Sequence, residues 1–129
     1  MGKKILFVLP WLKVGGLERV QVNIANALSS RGHDVTILAL NPENDLFGEL
    51  DKRVKYVYKP YKPHKIMKRL PYIRHKFYDD GMWETRASAN ALYKYYVGNE
   101  KYDVEIGFFR GLSIKIISGS TNKNSVKLA

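Results

Sequence analysis

Two adjacent glycines, Gly15 and Gly16, stand between the first apolar run of the chain and a segment with helical spacing. The run over residues 4–9 predicts a buried strand, and residues 17–31 predict a helix. Such a turn leaves bare backbone N–H groups at the positive end of the helix dipole, where an anion such as a diphosphate is favoured. The alternative is that the glycines only permit a tight turn and close packing of the helix on a sheet.

The sequence after this turn completes a strand–helix–strand unit. A stripe of apolar residues marks one side of the predicted helix: Leu17, Val20, Ile24, Ala27 and Leu28. Gly32 is placed to end the helix as a C-terminal cap. Residues 35–40 are nearly all apolar, which is typical of a strand covered on both faces. The spacing therefore predicts a right-handed βαβ unit.

The remainder of the chain alternates in the same way. Strands are predicted over residues 54–58 and 102–109, helices over 82–97 and 111–118, and a last strand begins at residue 125. We therefore predict a Rossmann-like, doubly wound parallel α/β fold with three layers (α/β/α) and strand order 3-2-1-4-5. Because no covering helix follows the last strand, we expect residues 1–129 to be a single domain at the front of a longer protein, and the alternative is that the fifth strand closes a minimal sheet.

Composition narrows the classes of partner and compartment. The chain has no cysteine, which excludes disulfides and thiolate zinc sites. No apolar run is long enough to span a bilayer, and Pro10 and Trp11 interrupt the first run before a signal-peptide cleavage pattern forms. We therefore expect a cytoplasmic protein that contacts the inner face of the cell membrane at most peripherally. The formal net charge of +10 indicates a negatively charged partner.

Three familiar phosphate-binding classes do not fit the glycine turn. A dinucleotide-binding turn requires G-x-G-x-x-G and an acid after the second strand, and both are missing here. A P-loop requires G-K-[ST], where this chain has Leu17 and Glu18. A receiver domain requires acids after the first strand, where Pro10 and Trp11 stand.

One pattern of residues extends from the first strand to the second. It consists of Ile5 to Leu9, Gly15, Gly16, Glu18, Arg19, Val20, Ala25, Leu28, Gly32, His33 and Val35. Residues 102–106 and 113–118 continue the pattern. The pattern resembles the N-terminal domain of retaining family-four glycosyltransferases with the GT-B fold, and the resemblance covers most of the chain except residues 59–80.

The resemblance implies an enzyme of two Rossmann-like domains with a cleft between them. The N-terminal domain of such an enzyme mainly holds the acceptor, and the C-terminal domain holds the nucleotide-sugar donor. Gly15 and Gly16 would face the donor's diphosphate, with Glu18 and Arg19 as further substrate-binding candidates. A first-turn acid followed by a solvated base is the equally weighted alternative for Glu18 and Arg19. The resemblance implies neither a metal nor a cofactor.

The same resemblance implies transfer of a sugar from a nucleotide-sugar donor to a glycan or lipid-linked acceptor in cell-surface polysaccharide biosynthesis. This chain lacks the donor-binding half and the histidine that the family often places beyond the fifth strand, so we expect the fragment to be inactive alone. The catalytic residues therefore stay unknown. Lys13 and Arg110 join the substrate-binding candidates because both are predicted at the carboxyl edge of the sheet.

A basic segment over residues 59–76 interleaves lysine and arginine with apolar and aromatic residues. This pattern suits contact with an anionic membrane surface or with a lipid-linked acceptor. The candidate contact residues are Lys65, Lys68, Arg69, Tyr72 and Arg74. One alternative is a solvated loop whose apolar residues pack on the sheet, and another is a non-enzymatic α/β module that binds anionic partners through this segment. Nucleic acid is not expected as a partner, because no nucleic-acid-binding motif is present.

Overall fold

A parallel β-sheet organises the molecule, which we describe from a computed structural model over residues 2–59, 86–108 and 112–128. Its strands are β1 (Lys4–Leu9), β2 (Asp34–Ala39), β3 (Lys55–Tyr58), β4 (Val104–Gly107) and β5 (Val126–Leu128). They pair in the order β3-β2-β1-β4-β5, and every pairing is parallel. The predicted Rossmann-like sheet and its order 3-2-1-4-5 are confirmed.

Helices lie on both faces of this sheet. Helix α1 (Gly16–Ser30) follows β1, α2 (Arg86–Tyr96) precedes β4, α3 (Leu112–Ser118) precedes β5, and a 3₁₀ helix (Phe47–Glu49) lies between β2 and β3. We call the face that packs against α1 the front face, and the face that packs against α2 and α3 the back face. The predicted three-layer arrangement is therefore confirmed.

Strand β1 contributes to both hydrophobic cores, because successive side chains of a strand point to opposite faces. Ile5, Phe7 and Leu9 pack in the front core with residues of α1 and β2. Leu6 and Val8 pack in the back core with residues of α2 and α3. All five side chains are at most 5% exposed, so β1 is buried on both faces, as a central parallel strand should be.

Helix α1 ends as its sequence predicts. Gly32 has a φ of 91°, a left-handed conformation that a glycine adopts without steric cost. The N–H of Gly32 donates to the carbonyl of Ser29 at 3.0 Å, and the N–H of His33 donates to that of Leu28 at 3.1 Å. This pair of bonds is a Schellman motif, which satisfies the last carbonyls of the helix.

The side of α1 that packs on the sheet is not the predicted apolar stripe. Leu17, Val20 and Ile24 are 63%, 51% and 40% exposed. The buried residues of the helix are instead Gln21, Val22, Ala25 and Ser29. Alanine and serine are short, and we infer that they let the helix lie close to β1 and β2. The stripe correctly indicated a helix, but of its large side chains only Leu28 packs against the front core, whereas Leu17, Val20 and Ile24 are exposed.

The back core contains one carboxyl group. Glu105 on β4 is 0% exposed, and the hydroxyl of Tyr93 on α2 donates a hydrogen bond to its Oε1. Burial, followed by this bond, raises the pKa of Tyr93 above its ordinary value. Glu105 Oε2 is buried without a hydrogen-bond partner among the described residues. Nearby, Gly107 lets α3 approach, since a Cβ there would lie 3.2 Å from the carbonyl oxygen of Ser113.

Candidate functional site

The candidate site is the connection of residues 10–15, which leads from the carboxyl end of β1 into α1. A neighbouring loop after β2 holds this connection in place. The N–H of Leu12 donates to the carbonyl of Glu43 at 2.9 Å, and the N–H of Leu46 donates to the carbonyl of Leu12 at 3.0 Å. Leu12 is itself fully buried. The connection therefore has a defined conformation at the edge where ligands of parallel α/β sheets bind.

The N-terminus of α1 opens at this edge. Gly15 is the N-cap residue, in extended conformation, and no side-chain hydrogen bond caps the helix there. The first intrahelical bond runs from the N–H of Arg19 to the carbonyl of Gly15 at 3.1 Å. The N–H groups before it have no acceptor within the helix. A Cβ added to Gly16 would meet no atom within 4 Å, so the space beside Gly16 is open.

Gly15 differs from Gly16, because the side chain of Glu18 lies over it. A Cβ at residue 15 would come within 2.4 Å of Glu18 Oε2. The indole N–H of Trp11 donates to Glu18 Oε1 at 3.1 Å and orients the carboxylate. Glu18 thus places a negative charge in the first turn of α1, where the helix dipole favours one. An anionic ligand approaching Gly15 would meet this carboxylate.

The two described basic candidates are each paired with an acid. Lys13 Nζ lies 3.9 Å from Glu43 Oε1 and 4.3 Å from the centre of the Trp11 ring. Arg19 donates from Nη1 to both carboxylate oxygens of Glu49, at 2.9 and 3.2 Å. The N–H of Val14 donates to Asp45 Oδ2 at 3.3 Å. The charges of Lys13 and Arg19 are therefore both offset by nearby carboxylates in this structure.

The structure brings together five of the six predicted substrate-binding residues, namely Lys13, Gly15, Gly16, Glu18 and Arg19. The sixth, Arg110, lies outside the described residues. The predicted membrane or acceptor contacts also lie outside them: Lys65, Lys68, Arg69, Tyr72 and Arg74. At the start of that segment, Lys59 Nζ donates to the carbonyl of Tyr95 and lies 4.6 Å from the centre of its ring.

Sequence reasoning missed Trp11 and the acids of the β2–β3 connection, Glu43, Asp45 and Glu49. One signal for these acids was present. They follow the second strand, and neighbouring parallel strands end at the same edge of a sheet. Nothing comparable in the sequence indicated that Trp11 would donate to Glu18.

Comparisons with known proteins decide the family. Residues 14–92, more than half of the chain, match the family model described as Glycosyltransferase Family 4. The chain belongs to glycosyltransferase family 4. The match begins one residue before the glycine pair, so the turn and α1 lie inside the family's own pattern. The predicted resemblance to family-four glycosyltransferases is therefore confirmed.

A relative of this family-4 chain occurs in Haemophilus influenzae, where it is described as an uncharacterized glycosyltransferase. The two sequences are 34% identical over 77 residues, which is 59% of this chain and 19% of the relative. The match thus spans about a fifth of the length of that curated relative.

Two further properties concern the described part of this family-4 chain. None of its helices is long and apolar enough to cross a membrane. Its His, Asp and Glu side chains form no group of three or more that would suit a metal ion.

Proposed function

We propose that this chain is the N-terminal, acceptor-side half of a two-domain GT-B enzyme. The enzyme transfers a sugar from a nucleotide-sugar donor to a glycan or lipid-linked acceptor in the synthesis of a cell-surface polysaccharide. Membership of glycosyltransferase family 4 supports the reaction class. The small share of the relative that the chain spans supports a second domain beyond these residues.

The observation that carries the proposal is the open space beside Gly16 at the N-terminus of α1. The backbone there has no side chain to keep a ligand away, and no atom lies within 4 Å of an added Cβ. The turn lies at the carboxyl edge of the sheet, beside the central strand β1. Backbone N–H groups at the start of a helix bind phosphate oxygens well, because the dipole and the bare donors act together.

These donors would serve the departing group of the reaction. In glycosyl transfer, the bond between the anomeric carbon and the diphosphate oxygen breaks, and a bond to an acceptor hydroxyl oxygen forms. The diphosphate leaves with the electron pair, and the proton of the acceptor hydroxyl passes to the departing diphosphate or to solvent. Fixed N–H groups stabilise the charge that develops on the diphosphate. Lys13 and Arg19 would add to this effect only after exchanging Glu43 and Glu49 for the ligand.

The test uses the longer protein that contains this chain. Purified protein is incubated with a panel of uridine, guanosine and adenosine diphosphate sugars, and release of the nucleoside diphosphate is measured with and without a glycan or lipid-linked acceptor. We expect release from at least one donor. If no donor is hydrolysed or transferred by a folded preparation, the proposal fails.

A glycine variant connects the activity to the turn. A Cβ at residue 16 would meet no neighbouring atom, so we expect the fold to persist in Gly16→Val while the larger side chain keeps the diphosphate away. Loss of preorganised donors of this kind lowers kcat by about 10²- to 10³-fold. Gly48→Val is the matched control, because Gly48 also has open space around it but lies in the 3₁₀ helix. Equal activity of the two variants would contradict a role for the turn.

We also propose that the basic segment over residues 59–76 holds the enzyme at an anionic membrane surface. Seven basic residues interleave with aromatic and aliphatic ones in this segment: Lys59, Lys62, Lys65, Lys68, Arg69, Arg74 and Lys76. Each base near an anionic surface contributes about 1 kcal/mol to binding. A lipid-linked acceptor would make this location useful to the enzyme.

Flotation with vesicles tests the membrane proposal. We expect the protein to float with phosphatidylserine-containing vesicles but not with phosphatidylcholine vesicles. Replacing Lys65, Lys68, Arg69 and Arg74 with glutamine should abolish flotation. The control replaces four exposed bases elsewhere, Lys3, Arg31, Lys52 and Lys123, and makes the same change in net charge. If both sets reduce flotation equally, the binding depends on net charge and not on the segment.

A further inference from the structure

A cavity opens at the amino edge of the sheet, opposite the edge that carries the glycine turn. Two loops form its walls: residues 101–103, which lead into β4, and residues 121–124, which lead into β5. We call this cavity the amino-edge pocket. Its volume of about 520 Å³ lies within the range of about 300–1,000 Å³ that is usual for small-molecule sites.

Asn122 joins the two loops and fixes the shape of the pocket. It is 6% exposed, and its Nδ2 donates to the carbonyl of Tyr102 at 2.7 Å. Its Oδ1 accepts a hydrogen bond from the N–H of Asn124 at 3.2 Å. The N–H of Val126 also joins the loops, since it donates to the carbonyl of Asp103 at 2.9 Å. Walls held in this way are formed before a ligand arrives, which lowers the entropic cost of binding.

Four side chains around the pocket carry hydrogen-bonding groups that no other described residue engages. They are the ammonium groups of Lys101 and Lys123, the hydroxyl of Thr121 and the carboxamide of Asn124. All four side chains belong to exposed residues. The pocket therefore offers both charged donors and neutral polar groups to a ligand.

The charges of the lining favour an anion. Lys101 and Lys123 stand on opposite walls, so both ammonium groups can approach one group bound between them. Neither lysine is paired with an acid in the part of the chain that the structure describes, whereas Lys4, at the same edge, is paired with Glu100. The lining also contains Asp103, but Oδ2 of its carboxylate already accepts the N–H of Lys4 at 2.8 Å.

The neutral groups of the lining suit a sugar. A hydroxyl and a carboxamide can each donate and accept hydrogen bonds, as the hydroxyl groups of a sugar require. Ammonium groups form charge-assisted bonds with phosphate oxygens, and two of them match the charge of about −1.5 to −2 on a phosphate monoester. A phosphate ion alone would use only the lysines and would leave most of the cavity unfilled.

We propose that the amino-edge pocket binds a phosphorylated monosaccharide. Lys101 and Lys123 hold the phosphate from opposite walls, and Thr121 and Asn124 bond to the hydroxyl groups of the sugar. The inference goes beyond the proposed function, because a six-residue strand such as β1 separates the two edges of the sheet by about 20 Å. A ligand in the pocket therefore does not contact the glycine turn.

Titration of the ¹⁵N-labelled chain with glucose 6-phosphate, followed by amide chemical shifts, tests the proposal. We expect saturable shifts in residues 101–103 and 121–124 and in the side-chain amide of Asn124. Glucose and inorganic phosphate are titrated in parallel. Each should bind about tenfold more weakly or worse, because each engages only part of the pocket.

A pair of substitutions assigns the binding to the two lysines. Lys101→Gln combined with Lys123→Gln should weaken binding of glucose 6-phosphate about tenfold or more, because the charge-assisted bonds to the phosphate are lost. Lys52→Gln combined with Lys94→Gln is the matched control, since both residues are exposed, lie outside the pocket and give the same change in net charge. The amide spectrum of each variant reports whether the fold is kept.

Three results would overturn the proposal. They are the absence of saturable shifts in the two loops, equal weakening by the control pair, and binding of inorganic phosphate as tight as that of glucose 6-phosphate. The third result would leave an adventitious ion only.

Gly16→Val separates this inference from the proposed function. We expect the variant to bind glucose 6-phosphate as the unchanged chain does. If the variant loses this binding, the sugar phosphate occupies the glycine turn and the amino-edge pocket is refuted. Binding in the pocket of a longer protein that transfers no sugar supports the pocket and counts against the enzyme.

Discussion

The two halves of the front face have similar strands but different surroundings. Ile37 on β2 and Leu128 on β5 are both aliphatic residues that point to the front, yet they are 0% and 50% exposed. The difference comes from α1, which packs over β1 and β2 and stops short of β5. An apolar residue in a strand therefore indicates which face of the sheet is packed. How much that residue stabilises the fold depends on whether a helix buries it.

The largest expected effect contrasts these two residues. Ile37→Ala removes buried methyl groups and leaves a cavity, so the free energy of unfolding should fall by about 2–5 kcal/mol. Leu128→Ala acts on a half-exposed side chain and should lower it by at most about 1 kcal/mol. Urea denaturation of this chain measures both. Equal losses would show that the β5 side of the front face is already covered in solution.

The back face supplies the next comparison, because its core encloses a polar pair. Tyr93→Phe removes the hydroxyl that donates to Glu105 and leaves the carboxyl buried without a partner in the described part of the chain. We expect a loss of about 1–3 kcal/mol in the free energy of unfolding. Tyr58→Phe, at a 43% exposed position, is the control and should change it by less than about 0.5 kcal/mol.

A second substitution sharpens this prediction. Adding Glu105→Met to Tyr93→Phe removes both polar partners and keeps a side chain of similar length. The double variant should recover most of the lost stability, because no unpaired polar group is left in the core. If it is no more stable than Tyr93→Phe, the loss comes from packing around Tyr93 and not from the unpaired carboxyl.

Raising the pH above 10 should lower the free energy of unfolding by a smaller amount, through buried tyrosines on both faces of the sheet. Burial is the main cause that raises the pKa of Tyr56, Tyr93 and Tyr102 above the ordinary value of 10.0. The folded state holds these phenol protons more tightly than the unfolded state. Their contribution to stability is therefore complete below pH 10 and is lost as the pH rises through the raised values.

Absorbance at 295 nm, followed with circular dichroism, measures this effect. We expect these three tyrosines to ionise only as the protein unfolds, well above pH 10. A chain that keeps its helical signal while all nine tyrosines have ionised would contradict the prediction.

The sequence predicted the fold well where local signals and topology agree. The strand at residues 4–9 has the predicted bounds, and α1 begins and ends one residue before its predicted bounds. Gly32 ends that helix in a left-handed conformation, which only glycine adopts without steric cost. Because crossovers between parallel strands are right-handed, only a few strand orders were compatible with the sequence. The predicted order is the one observed.

The site and the cores were less predictable, because they depend on contacts between distant residues. The apolar stripe of Leu17, Val20 and Ile24 has the spacing of a core-facing helix, but nothing local states which side meets the sheet. Glu105 is buried, and it accepts a hydrogen bond from Tyr93, twelve residues earlier. Similarly, the carboxylate over Gly15 is held there by Trp11, and neither residue indicates this on its own.

The smallest expected effect concerns Arg19, on the side of α1 that faces the β2–β3 connection. Its ion pair with Glu49 is about half exposed on both sides, so Arg19→Met should lower the free energy of unfolding by only about 0.2–1 kcal/mol, and less in high salt. Under the proposed function, the same variant in a longer protein that contains this chain separates the two roles considered for Arg19. If nucleotide-sugar turnover falls much more than stability does, Arg19 contacts the substrate after leaving Glu49. If turnover changes as little as stability, Arg19 serves only to join α1 to the β2–β3 connection, and the proposed diphosphate site would depend on the backbone at Gly16 alone.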